Sequence, residues 1–430
     1  MACEKRLETR NRELETMNYS DSLRYLNSFL NLERIIFHPQ NRLWNLKRMR
    51  LLLEWFDHPE KSFFPVLIAG TKGKGSTGFF LESILKASAI PAGFYSSPHL
   101  EDPRERIRLQ GRMISRRTWI EGLRRVRNVL KTHRLQKSIG DFTYFEIMTL
   151  LAILAFKQAK VRIGIFEVGM GGRLDATNTI HAPLVILTPV YLDHEAFLGD
   201  TIAKIADEKA AIIHGGADVV VSPQKKAARD VIRRRIRSKK ATAWTAASIP
   251  NIPLGLLGDF QRINAGAAVQ AARILKDRYG YPMADEKVIL GLTCDHWPGR
   301  LEYFKGRPDI VIDGAHNPSS IQALVGSLRK LFAHRRQILI FGASRDKRTD
   351  KMLQILGTFF EEIVLTPIPT PRSQEMEVLL REARPHFKRI YPQRNVAEAL
   401  EFGRRMAGRN DLMVVTGSFY LIGEVRKLIK

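Results

Sequence analysis

Residues Gly70-Thr71-Lys72-Gly73-Lys74-Gly75-Ser76-Thr77 constrain this chain more than any other stretch, because they lie between an apolar run and an apolar helical pattern. Phe64 to Ala69 reads as a buried strand, and Phe79, Phe80, Ser83 and Ile84 mark one face of a helix that begins at the loop. Glycines let backbone N–H groups approach an anion, and a helix start adds its dipole. Lys74 then reaches terminal phosphates, and Ser76 offers an oxygen to Mg²⁺. The strand, turn and helix together predict a phosphate cradle with ATP as its ligand. The stretch Gly73 to Gly78 also satisfies G-x-G-x-x-G, and the strict G-x-x-x-x-G-K-[ST] spacing fails because Gly75 separates Lys74 from Ser76. A dinucleotide site would want an acid about 20 residues further on. Ala92 to His99 supplies hydroxyls there instead.

The length of 430 residues exceeds what one core usually serves and predicts two domains. Hydrophobic residues make up 44%, enough for an ordinary globular interior, and no apolar run approaches the ~20 residues that span a bilayer. The start, MACEKRLETRNRELET, is polar and mixed in charge and lacks the apolar core of a secretory signal. Cys3 and Cys294 are far apart and have no CxxC or metal-binding context, which suits a reducing cytoplasm. The net charge of +25 raises the question of nucleic acid. The densest basic run, Lys225 to Lys240, reads as a helix with Val231, Ile232 and Ile236 inward. No aromatic residues interleave with its cations for base stacking, so it is read as a solvated face and no specific nucleic-acid partner is expected. Acidic small-molecule substrates fit the charge equally well.

Helical patterns at Ser20 to Phe29 and Leu43 to Phe56 precede an alternation of strands and helices. Strands are predicted at Val66–Ala69, Ala92–Tyr95, Ile163–Val168, Leu184–Thr188 and Val219–Ser222, then in a second series at Ile310–Asp313, Gln337–Gly342, Glu362–Leu365, Lys388–Tyr391 and Leu412–Thr416. The fold class is therefore α/β, with mostly parallel sheets and ligands at the strands' C-terminal ends. Between the two series, Gly291 to Gly299 is non-periodic and bears Pro and Gly, as suits a hinge. The boundary is placed at residues 295/296, giving domains 1–295 and 296–430.

Several strand ends carry ionisable groups. Glu167 follows an apolar strand and precedes Val168-Gly169-Met170-Gly171-Gly172-Arg173, where an acid can hold Mg²⁺ beside a nucleotide or simply cap a turn. Asp193-His194 ends the next strand, and His194 is either a ligand or a structural histidine. In the helix Thr201 to Ile213, Lys209 shares a face with Ile202, Ile205, Ala206, Ala210 and Ile213 and is expected to be buried. Burial can leave its amine neutral and reactive, or the side chain can snorkel or pair with Glu208 or Asp193. In the second series the strand ends in Asp313-Gly314-Ala315-His316-Asn317-Pro318, with Arg300 nearby as a phosphate clamp. Asp313 also reads as a cap and Asn317-Pro318 as a turn.

Taken together, these stretches resemble the bacterial folylpolyglutamate synthase/dihydrofolate synthase family of Mur-ligase-like amide ligases. The resemblance rests on Gly70 to Ser76, Tyr95-Ser-Ser97-Pro-His-Leu100, Glu105-Arg-Ile107, Glu167 to Asn178, Leu192-Asp-His194, Glu208-Lys209-Ala210, Gly258 to Ala265, His296 to Arg300, Asp313 to Pro318, Asp346-Lys347 and Thr416 to Leu421. It runs in order from about residue 18 to the end. It implies a P-loop central-type domain with a mostly parallel sheet, joined to a smaller Rossmann-like α/β C-terminal glutamate ligase domain.

The implied assignments are these. Lys74 and the loop residues Gly70, Thr71, Gly73, Gly75, Ser76 and Thr77 would hold ATP phosphates. Ser76 and Glu167 would bind one Mg²⁺, and Ser97, Glu167 and His194 a second. Lys209 would become an N-carboxylated lysine of the metal site. Asn264 would contact adenine, Arg300 phosphate and Asp313 ribose, and His316 would sit in the catalytic cleft with Lys74 and Lys209. The implied partners are L-glutamate, dihydropteroate and reduced folates, with no membrane partner, in a cytoplasmic monomer. Asp141 to Glu146 resembles the corresponding segment of bifunctional members. Two departures stand out: Lys72 replaces the family's usual Asn, and Leu187 to Tyr191 is less typical. The rival readings are another Mur-type amino-acid ligase and a basic nucleotide-dependent RNA-binding protein.

Overall fold

The structure, a computed structural model, describes residues 17–31, 45–133, 140–250, 252–293, 297–333 and 335–430. Its strands close into two sheets. The first contains β1 (Phe64–Ala69), β2 (Ala92–Tyr95), β3 (Ile107–Leu109), β4 (Arg112–Met113), β5 (Ile163–Glu167), β6 (Leu184–Leu187), β7 (Asp218–Val221) and β8 (Thr242–Thr245), in the order β4-β3-β2-β5-β1-β6-β7-β8. β2 through β8 in that row are parallel, and β3 and β4 add an antiparallel edge. The second contains β9 (Glu302–Phe304), β10 (Asp309–Ile312), β11 (Gln337–Phe341), β12 (Glu362–Leu365), β13 (Arg389–Pro392) and β14 (Leu412–Thr416), in the order β13-β12-β11-β14-β10-β9. Only β9 runs antiparallel there.

Continuous apolar strands arise because both faces of each sheet are covered. Leu67 and Ala69 of β1 enter one core while Val66 and Ile68 enter the other. In the second sheet Leu339 and Phe341 point to one core, and Ile338 and Ile340 to the opposite one. The helix Lys74–Ala87 is buried along nearly its whole length and packs against the helices Gln261–Tyr279 and Asp285–Thr293. On the other face lies the helix Tyr144–Gln158, started by a capping box between Thr143 and Glu146. The chain passes from one side of β1 to the other between β5 and β6. The crevice therefore opens at the C-terminal ends of β1, β5 and β6, the usual ligand position in an open parallel sheet.

The structure amends the sequence reading in several places. β3, β4, β8 and β9 were not expected. The helix around Lys209 spans Ile202–Ala210, with the Thr201 hydroxyl capping it; Ile213 is buried beyond its end and Ile202 is only half-buried. The expected hinge begins inside a helix: a Cβ on Gly291 would stand 2.5 Å from the Ile84 Cα, so this glycine permits close helix packing. Residues 294–296, which hold Cys294 and the 295/296 boundary, lie outside the described residues, as do Cys3 and the expected helix start at Leu43. Past them the chain is anchored: the Trp297 ring lies 4.9 Å from that of Phe79 and 5.4 Å from that of Phe94. Among the described residues, no helix is long and apolar enough to cross a membrane.

Candidate active site

The loop after β1 turns sharply and delivers a helix start into the crevice. Gly70 is pressed against Thr188, whose Oγ1 would stand 1.8 Å from an added Cβ. Gly73 adopts the left-handed conformation with φ of 83° and meets the Asn264 amide, whose Oδ1 would lie 2.1 Å from a Cβ. Both positions therefore require glycine. Gly73 is also the residue that precedes the helix Lys74–Ala87, and no side chain caps that helix. Its first intrahelical bond runs from the Thr77 amide to the Gly73 carbonyl, 2.8 Å. By helix geometry the amides of Lys74, Gly75 and Ser76 have no partner within the helix. An uncapped, buried helix start of this kind suits an anion.

The front of the loop does something different. Thr71 donates its amide to the Pro189 carbonyl at 3.0 Å, and its hydroxyl bonds the carbonyl and the amide of Tyr191 at 3.1 and 3.0 Å. Lys72 also donates its amide to Pro189. Thr71 thus braces the loop. Thr77 is fully buried and does not reach the cavity; its hydroxyl has no partner among the described residues.

Glu167, the last residue of β5, lies 4% exposed beneath the loop. Burial pushes its pKa up, while Lys74 and Arg300 pull the other way. Lys74 Nζ stands 3.8 Å from its Oε1, and the Ser97 amide donates to its Oε2 at 3.2 Å. Lys209, 5% exposed, lines the same cavity. Burial, reinforced by the positive charge of Lys74, lowers its amine to about 7. Burial likewise pushes His194 down to about 3, leaving a neutral imidazole.

The second sheet closes the cavity. Arg300 is half-buried, its guanidinium 4.6 Å from the Phe419 ring centroid. Its fork reaches both chain segments: a Cβ on Gly75 would lie 3.6 Å from one terminal nitrogen, and one on Gly314 3.0 Å from the other. Asp313 accepts from the Leu301 amide at 2.8 Å and the Ala315 amide at 2.9 Å, tying the turn after β10 to the Arg300 segment. His316 contacts the Gly314 carbonyl through Nδ1 at 2.8 Å, and burial lowers its pKa to about 4. A neutral ring with Nδ1–H donating leaves Nε2 as a lone-pair acceptor. Asn264 donates to Gln261 Oε1 at 2.8 Å, and Gln261 Nε2 is buried without a partner among the described residues.

One junction was not assigned from the sequence. Asp193 accepts from Asn317 Nδ2 at 3.0 Å and from Lys347 Nζ at 3.2 Å, so a carboxylate of the first sheet is held by two groups of the second. Burial works to raise its pKa, but Lys347 and the two histidines hold it well below the usual carboxylate range. Asn317 is thereby more than a turn residue. It caps the helix Pro318–Leu331, a position legible from Asn before Pro, while its distant partner carries no sequence signal. The whole cavity measures about 870 Å³ and is lined by Gly70, Thr71, Gly73, Lys74, Gly75, Ser76, Ser97, Glu167, His194, Lys209, Asn264, Arg300, Asp313 and His316. It thus gathers every candidate site residue except Thr77.

Known proteins share this arrangement. Residues 299–419 match the family model described as Mur ligase, glutamate ligase domain. The chain is 32% identical to a dihydrofolate synthase/folylpolyglutamate synthase of Bacillus subtilis, over 90% of this chain and 95% of the relative. It is also 32% identical to a folylpolyglutamate synthase of Lacticaseibacillus casei, over 96% and 99%. Among solved structures, E. coli FolC in complex with DHPP and ADP superposes with a TM-score of 0.82 at 28% identity, covering 96% of this chain and 98% of that one. Relatives matched end to end at this identity, on a cleft built from both sheets, leave one conclusion: the chain belongs to the dihydrofolate synthase/folylpolyglutamate synthase family of Mur-type ligases.

Proposed function

We propose that this protein is an ATP-dependent ligase that joins the amine of L-glutamate to the carboxylate of dihydropteroate and to the γ-carboxylate of folates. The observation that carries the reading is the convergence of Lys74 and the uncapped helix start from one sheet with Arg300 from the start of the other, over the buried Glu167. In the first step a carboxylate oxygen of the acceptor attacks the γ-phosphorus of ATP, the bond to the β-γ bridging oxygen breaks, and ADP and an acyl phosphate form. Lys74, Arg300 and the amides of Lys74, Gly75 and Ser76 would offset the charge that develops there. In the second step the glutamate amine attacks the acyl carbon, phosphate leaves, and the amine loses its proton. His316 Nε2 is the acceptor we assign to that proton. A cavity closed by both sheets would keep water from the acyl phosphate.

The donor set of Ser76, Ser97 and Glu167 is all oxygen and suits Mg²⁺, with neutral His194 available as a nitrogen ligand for a second ion. Mg²⁺ would supply charge neutralisation at the phosphates. A neutral Lys209 amine can add CO₂ and release one proton, giving a carbamate beside that second position. Asn264, oriented by its bond to Gln261, would read the adenine, and Asp313 would meet the ribose. Phe145 and Met170 give the cavity an apolar wall fit for a flat acceptor ring. The test is ADP release that requires both glutamate and an acceptor, measured with dihydropteroate and with a monoglutamyl folate in turn. ATP hydrolysis stimulated by RNA and indifferent to glutamate would overturn the reading.

A further inference from the structure

The two departures from the family pattern meet in space. Lys72 Nζ stands 4.4 Å from the Tyr191 ring centroid, and Lys225 Nζ stands 5.5 Å from the same ring. The ring is fixed from both sides of the chain, since Thr71 bonds the Tyr191 backbone twice and Gln224 bonds the Val190 amide and the Thr188 carbonyl. Four other cations of the cavity wall pair with carboxylates: Lys74 with Glu167, Arg173 with Glu208, Lys347 with Asp193 and Arg372 with Asp346. Among the described residues, neither Lys72 nor Lys225 has an ion pair or a side-chain hydrogen bond. The carboxylate that acts on Lys72, Asp193, is already taken by Lys347 and Asn317.

From Lys225 the helix Lys226–Ser238 leads outward. Ala228, Val231, Ile232 and Ile236 are buried, while Lys226, Arg229, Arg233 and Arg237 are exposed. Steps of three, four and four residues keep these four cations in one stripe, about 16 Å long at 1.5 Å per residue. None of them has an ion pair among the described residues. Four unpaired cations in a line, continuous through exposed Lys225 with Lys72 at the cavity wall, call for an anion that repeats its charge along a chain.

We propose that Lys72, Lys225 and the stripe Lys226, Arg229, Arg233 and Arg237 form a track for the γ-linked glutamyl tail of a folate substrate, the tail running outward from the terminal γ-carboxylate held at the cradle. The proposal rests on the ligase reading above. Each glutamate already added by a γ-linkage leaves one free α-carboxylate, so a growing tail presents the repeating negative charge that the track matches. The helix Lys226–Ser238 offers no aromatic side chain for base stacking, which disfavours single-stranded RNA. The phosphates of ATP are disfavoured too, because the Lys72 amide is taken by the Pro189 carbonyl and its ammonium sits over the Tyr191 ring beside Lys225.

The test uses the full chain carrying Lys225→Ala, Arg229→Ala and Arg233→Ala together. The probe is a free γ-linked pentaglutamate peptide, titrated by calorimetry at low salt without ATP. The variant is expected to bind it about tenfold more weakly than the parent, the sum of three exposed ion-pair contacts. In turnover, KM for a triglutamyl folate is expected to rise by a similar factor, while kcat and the KM values for ATP and a monoglutamyl folate stay unchanged. Equal peptide affinity in parent and variant, an equal rise in KM for the monoglutamyl substrate, or binding of a single-stranded oligonucleotide in place of the peptide would each overturn the track. A parent that binds the peptide yet fails to ligate glutamate to any folate would instead refute the ligase reading.

Discussion

Replacing Lys209 by Met separates the cost of this residue from its use. Its amine lies 5% exposed in the helix Ile202–Ala210 and is lowered from 10.5 to about 7, chiefly by burial. Between those values the unfolded chain binds more protons here than the folded one, so stability from this group rises with pH through that window. Below about 7 the full cost stands. Integrating over the two pKa values gives at most about 5 kcal/mol of destabilisation at pH 6 and about 2 kcal/mol at pH 9. Lys209→Met, which keeps the length and loses the charge, is therefore expected to be more stable than the parent by up to about 5 kcal/mol at pH 6 and about 2 kcal/mol at pH 9, and to lose ligation. The assay is urea unfolding of protein freed of CO₂, at both pH values, with glutamate-dependent ADP release alongside. A Met variant no more stable than the parent at pH 6, or a gap that fails to narrow at pH 9, would refute the reasoning.

If Lys209 acts as a carbamate, Lys209→Ala will be nearly inactive yet partly rescued by short-chain carboxylates, and Lys209→Arg will stay inactive; a fully active Arg variant would end that assignment. Lys74→Ala is expected to lower kcat at least about a hundredfold with the melting temperature unchanged, whereas Lys72→Asn stays within a few-fold on a monoglutamyl substrate. Arg300→Ala should raise KM for ATP by more than its effect on the ligand-free melting temperature accounts for, and equal losses would make Arg300 structural. Asp193→Ala leaves the Lys347 ammonium without its main partner and is expected to cost about 3–5 kcal/mol in urea unfolding.

The strands that place the site were legible because they are buried over most or all of their length. β1, β5, β6, β11 and β14 are unbroken apolar runs, and the residues just past them are where an open parallel sheet meets its ligands. Lys209 was legible for a related reason, since helical spacing put it on the face with Ile205 and Ala206. β3, β4 and β8 were not, because Arg108, Arg112 and Thr242 belong to short strands at the margins of the sheet that are held by pairing and not by an apolar pattern. Gly291 misled for the opposite reason: its role depends on Ile84, in a helix far earlier in the chain, which no local signal announces. The same holds for Asp193, whose partners Asn317 and Lys347 are 124 and 154 residues away.

The chain leading into the second sheet is gripped on both sides of a very short span. Trp297 is lodged against Phe79 and Phe94, and the Arg108 guanidinium lies 5.1 Å from its indole ring. Two residues later, Gly299 donates to Glu302 at 2.8 Å and accepts from Gly314 at 3.0 Å, and Glu302 is held by Arg426. A swing of one sheet against the other therefore has its fulcrum close to Pro298. Displacement on a lever grows with distance from the fulcrum, and Arg300 stands almost on it. Its guanidinium would therefore travel little in such a swing and would stay over the cradle.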